Sequence, residues 1–86
     1  MDPEIAALRQ ALDALDGEIL AALARRRALV ARLFARKAAL GLHRLDAARE
    51  AALLEDRASR GEALGVPRGV TDAVFRAVLR MSHALE

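Results

Sequence analysis

An all-α fold follows from three features of this 86-residue sequence. Ala fills about a quarter of the chain. With Leu, Arg and Glu it forms a vocabulary that loses little side-chain freedom in helices. Aromatic residues make up only 2%, and β-branched residues are too few to build sheets. Apolar positions step mostly by three and four along nearly half the chain, the period of one helical face. The length suits one small domain, residues 1–86, near the lower range for a single stable core. With no cysteine there are no disulfides or thiolate metal sites, and two isolated histidines make a poor zinc site. The acidic opening Met1-Asp2-Pro3-Glu4 leads into no long uncharged apolar run. Neither a secretion signal nor a membrane span is expected, and the cytoplasm is the expected location.

The first helix is predicted from Pro3 to Leu40. Asp2 is an N-cap acceptor, and Pro3 sits in the first turn, where its missing N–H costs nothing. Glu4 adds favourable charge at the positive end of the dipole. Gly17 lowers helix propensity by about 1 kcal/mol, which the strong formers around it absorb. Gly41 is a natural stop. The stripe consists of Ile5, Leu8, Leu12, Leu15, Ile19, Leu23, Val30 and Leu33. Arg26 and Lys37 interrupt it, each where a core residue is expected. They project from one face, roughly 16 Å apart, and charges on a buried face are rare unless something pairs with them. Lys37 is also the only lysine of the chain, which points to a need for a compact ammonium rather than a planar guanidinium. Such a helix is about 57 Å long, whereas a compact globule of this size is only about 30 Å across. The remaining residues cannot cover that rod, so a dimer of long helices packed together is expected.

Leu42 to Leu45 reads as a connection, and Asp46 as the N-cap of a second helix with Ala47, Leu53 and Leu54 as its apolar positions. Arg49 and Glu50 follow one turn after the cap. This helix is expected to fade around Ser59 to Gly61, with a loop from Gly61 to Gly69. Pro67 opens the third helix, which places Val70, Val74, Phe75, Val78, Leu79 and Ser82 on one face and runs to Glu86. The organisation is long, medium, medium, with no internal repeat.

Taken singly, the polar residues on these faces have ordinary explanations. A long cation can lie along apolar surface and reach water, Asp46 can serve only as a cap, and Ser82 can bond back to its own helix. Arg49, Glu50 and Glu86 can simply be solvated. Taken together, they place a set rich in cations, with a few hydrogen-bonding partners, beside an apolar face in all three segments. Such a pocket fits a small dianion bearing a hydroxyl. Nothing in it resembles a nucleophile with its base.

The whole chain resembles the all-helical class of chorismate mutases. Leu8-Arg9, Leu15-Asp16 and Leu23-Ala24-Arg25-Arg26-Arg27, with Lys37 eleven residues after Arg26, look like that family's first helix. Asp46-Ala47-Ala48-Arg49-Glu50 is similar to the second-helix motif, and Phe75 through Ser82 to Glu86 to the last. The register holds from Arg9 to Glu86 without a gap. The resemblance implies an intertwined homodimer of three-helix chains converting chorismate to prephenate, with no cofactor or metal. Arg26 and Arg9 would clamp carboxylates, Arg9 reaching into the other subunit's site. Lys37 would contact the ether oxygen and a carboxylate. Glu50, with the backbone near Asp46, would hold the ring hydroxyl, and Arg49 and Ser82 would complete the binding of charged groups. Arg9 lies about 25 Å before Arg26 along the axis and roughly 100° around it. The two grip one small molecule only if the partner's first helix runs antiparallel.

Glu86 stands where bacterial relatives often carry Gln and fungal relatives carry Glu. To donate to the ether oxygen it must be protonated, which the negative end of a helix dipole and a bound dianion favour and Lys37 opposes. Two other readings compete. An isochorismate pyruvate lyase has the same fold, but the complete Asp46, Arg49 and Glu50 set favours the mutase. A non-enzymatic helical module, for dimerisation or for nucleic acid, would use Arg25-Arg26-Arg27, Arg32 and Arg36 as a basic strip. A net charge of only +2 and the placement of Arg26 on the apolar stripe count against nucleic acid, and no membrane partner is expected.

Overall fold

The Asp2 carboxylate accepts from the main-chain N–H groups of Glu4 at 2.7 Å and Ile5 at 3.0 Å, and so starts the first helix. In the computed structural model, which describes residues 2–85, α1 spans Pro3–Ala39, α2 Ala47–Ala63 and α3 Arg68–His83. Among the described residues there is no strand. Both helix–helix connections place a glycine at positive φ directly after the C-cap leucine, Gly41 at 69° after Leu40 and Gly65 at 83° after Leu64. At α1, Leu42 N–H returns to the Lys37 carbonyl (2.8 Å) and Gly41 N–H to that of Ala38 (3.1 Å). This is the pattern of a Schellman cap, which only glycine adopts without strain.

α1 ends where the sequence places its stop. The other two boundaries shift. α2 does not fade at Ser59 to Gly61 but continues to Ala63. Gly61 lies in the helix and is glycine because α2 approaches α3 closely there: a Cβ on it would press well inside contact distance of the Thr71 side chain. α3 stops at His83 rather than running to Glu86, and Leu85 folds in against the body, 8% exposed. Glu86 lies outside the described residues.

α3 packs along α2 and against the C-terminal half of α1. The buried apolar set is small: Leu53 and Ala58 from α2, Val78 and Leu79 from α3, and Leu85. Of the face expected on α3, Val78, Leu79 and Ser82 are buried, while Val70 and Val74 remain open. The stripe of α1 fares differently again. Ile5, Leu8, Leu12, Leu15 and Ile19 are 47–58% exposed, with nothing of their own chain over them. The radius of gyration is 16.6 Å, against about 12 Å for a compact chain of this length. The rod predicted from the helix length is therefore present, and one chain leaves its N-terminal half bare.

Candidate active site

The spacing of Arg26, Val30, Leu33 and Lys37 sets all four on one face of α1, where they form one wall of a cleft. The α1–α2 connection adds Arg44 and Asp46, the first turns of α2 add Arg49, Glu50 and Leu53, and α3 closes the floor with Leu79 and Ser82. Thus Arg26, Lys37, Asp46, Arg49, Glu50 and Ser82, six of the eight expected site residues, line a single cleft. Arg9 does not join them. It is exposed on α1, about 25 Å along the axis from Arg26. Glu86 lies outside the described residues.

Hydrogen bonds fix the lining. Nη1 of Arg26 donates to Oγ of Ser82 at 3.0 Å, and that hydroxyl donates to the Val78 carbonyl at 3.2 Å. The back-bond expected of a serine on a helix is therefore made, and it turns the oxygen's lone pairs toward Arg26. Nζ of Lys37 donates to the Arg44 carbonyl at 3.1 Å. The Asp46 carboxylate caps α2 by accepting from Arg49 N–H at 2.9 Å. Arg44 reaches across to the carbonyls of Leu85 and His83 and lies over the Phe34 ring, 5.3 Å from its centroid. Glu50 meets Nε2 of His83 at 2.6 Å.

Among the described residues, none of Arg26, Lys37, Arg44 and Arg49 forms an ion pair with a carboxylate. Arg26 shows the consequence. Burial lowers its pKa, and the positive charges of Arg57 and Arg49 lower it further. Arginine stays ionised in proteins regardless, so the cleft holds a concentration of positive charge that no carboxylate among the described residues pairs with. A bound anion carrying two carboxylates would meet that need, and Glu50 and the Asp46 turn offer acceptors for a hydroxyl. The cleft measures about 120 Å³, short of the roughly 300–1,000 Å³ usual for small-molecule sites. A larger hollow of about 330 Å³ lies between the end of α2 and α3, but Leu64, Val66, Val70, Val74 and Phe75 dominate it and no carboxylate lines it. Chemistry rather than size selects the smaller cleft.

A family model for chorismate mutase type II matches residues 8–86. The chain belongs to the chorismate mutase type II family. It is 40% identical over 86 residues to the T-protein of Enterobacter agglomerans, a match that takes in 100% of this chain and 23% of that protein. The chain thus spans about a quarter of the length of that relative. No solved structure gives a significant match.

Within this chorismate mutase type II chain, three cleft-associated residues escape sequence reasoning. Phe34 and Arg44 line the cleft, and His83 approaches Glu50 from behind. Arg44 sits in an irregular connection, where no periodicity reveals the direction of a side chain. For Phe34, one of only two phenylalanines, composition carried a faint signal.

Proposed function

We propose that the chain rearranges chorismate to prephenate in aromatic amino-acid biosynthesis, as a homodimer whose two sites are each completed across the interface. The observation that carries this reading is the convergence of four cations, uncompensated within the described chain, on one cleft that also presents hydroxyl acceptors. The substrate is a dianion with a ring hydroxyl, and the reaction is unimolecular, so it asks only for binding in a reactive folded conformer and for stabilisation of the departing ether oxygen. Arg26 clamps one carboxylate, supported by Ser82, and Arg49 adds to the field. Lys37 donates to the ether oxygen and a carboxylate; one such donor is worth about 3 kcal/mol of barrier. Glu50 and the backbone at Asp46 take the hydroxyl.

Three features support the homodimer. The stripe from Ile5 to Ile19 is uncovered, the chain is extended, and the cleft is undersized for one small molecule. An antiparallel partner helix over that stripe covers apolar surface and carries the partner copy's Arg9 toward the cleft. Glu86 supplies a second donor to the ether oxygen when protonated. Activity is therefore expected to fall as pH rises and Glu86 loses its proton, and Glu86→Gln is expected to flatten the profile; an unaltered profile in that variant removes Glu86 from the site. The decisive assay follows the ultraviolet absorbance of chorismate with wild type and Lys37→Ala side by side. Rapid loss with wild type alone is expected, and equal rates would defeat the site.

A further inference from the structure

Glu50 stands in the first turn of α2, on the wall between two hollows. One is the cation-rich cleft; the other it shares with Arg76, Leu79, Arg80 and His83. His83 lines only the second, so it touches Glu50 from outside the cleft. Its Nε2 lies 2.6 Å from Oε2 of Glu50 and ties the last turn of α3 to the first turn of α2. An ionised carboxylate only accepts, so the imidazole is the donor. The main chain that carries His83 is itself held, because its carbonyl and that of Leu85 both accept from the guanidinium of Arg44.

A carboxylate offers two oxygens, and with Oε2 engaged by His83, Oε1 is left for the cleft. Glu50 is also a negative charge at the edge of a cleft whose cations have no carboxylate partner among the described residues. Released from His83, its side chain would swing toward them and neutralise the charge that an incoming dianion needs. We propose that His83 is a positioning residue, which holds Glu50 at the edge of the cleft with Oε1 directed to the substrate hydroxyl and the cations free. This inference rests on the chorismate reading above.

The test is the kinetics of His83→Leu, His83→Asn and His83→Gln on chorismate, each also made in a Glu50→Ala background, with thermal midpoints measured alongside. His83→Leu is expected to raise KM about tenfold with a smaller change in kcat, the scale of a displaced binding group. His83→Asn, polar but too short to reach Oε2, is expected to match it. His83→Gln, which replaces the donor near Nε2, is expected to return KM to within about threefold of wild type. In the Glu50→Ala background the three are expected to be alike, because the group being positioned is gone. Unchanged KM in both His83→Leu and His83→Asn overturns the inference, as does the same fold-loss in both backgrounds. Turnover by wild type with such a result overturns this inference alone; absence of turnover by wild type overturns the chorismate reading and the inference with it.

Discussion

On the outer surface of α2 and α3, nearly every arginine meets a carboxylate. Arg57 and Arg60 share Asp56, Arg68 reaches Glu55 and Glu62, and Arg76 pairs with Asp72 one turn away. In the cleft, among the described residues, the hydrogen bonds of Arg26, Lys37 and Arg44 go to a hydroxyl and carbonyls. Among the described residues, the one carboxylate there that does not cap a helix is Glu50, and it turns to His83. Arg68 and Arg26 stand on opposite sides of that division in their titration as well. A hydrogen bond from Arg68 to Glu55 raises the pKa of that guanidinium, whereas burial and neighbouring arginines lower that of Arg26. Folding therefore favours the charge of Arg68 on the outside and penalises that of Arg26 in the cleft. A sequence under selection for stability alone would place an apolar residue at Arg26. The penalty makes sense where a ligand supplies the missing negative charge.

The largest expected effect tests that contrast directly. Arg26→Ala and Lys37→Ala should each lower kcat/KM for chorismate by about a hundredfold or more, the scale of one lost charged donor. Arg68→Ala and Arg76→Ala, which break exposed pairs, should leave it within about twofold. Comparable losses from both groups would erase the distinction. Next in size is the dependence of the cleft on a second chain. Leu8→Glu combined with Leu12→Glu puts charge on the bare stripe of α1 and should convert a sedimenting dimer to monomer, with activity lost. A wild type that sediments as a monomer while turning over chorismate would show that the cleft is complete in one chain.

A smaller effect should appear in stability, and its sign is informative. The pKa of Arg26 is lowered on folding, so at every pH where it is charged the native state holds that charge less favourably than the unfolded chain. Arg26→Met should leave the thermal midpoint unchanged or raise it by a few degrees, even as it abolishes activity. A marked fall in the midpoint would mean that the bond to Ser82 outweighs the cost of burial. The smallest effect belongs to the outer surface. Hydrogen bonds from Arg57 and then Arg60 hold Asp56 below the ordinary value of 3.8. Its contribution is thus present above that value and fades as pH falls through the lowered one. The midpoints of wild type and Asp56→Asn should differ slightly near neutrality and converge in acid. The gap should be small throughout because the pair is exposed.

Much of the site was legible because helices translate spacing into direction. Arg26 and Lys37 interrupt a stripe whose other members are apolar, and that spacing alone places them on a common face. Asp46 is a cap and Arg49 and Glu50 follow it, so the start of α2 fixed their orientation. Arg44 and His83 were not legible. Arg44 lies in a connection with no period to read, and the role of His83 arises from where α3 ends relative to α2. Gly61 was misread for a related reason: glycine commonly marks a loop, yet here it is demanded by the close crossing at Thr71. Tertiary contact overrode local propensity there.

The sequence by itself determined the three helices, the length of the first, the cap residues that begin and end α1, and the polar interruptions of its apolar face. Those depend on local chemistry: propensity, periodicity and the hydrogen bonds that a terminus needs. Only the tertiary structure decided that six separated residues share one cleft, that Arg44 and His83 belong to its surroundings, and that the front half of α1 stands uncovered. Each of these depends on how the helices cross and where their ends meet. Crossing angles are set by the fit of side chains from different segments, which no pattern within a single segment specifies.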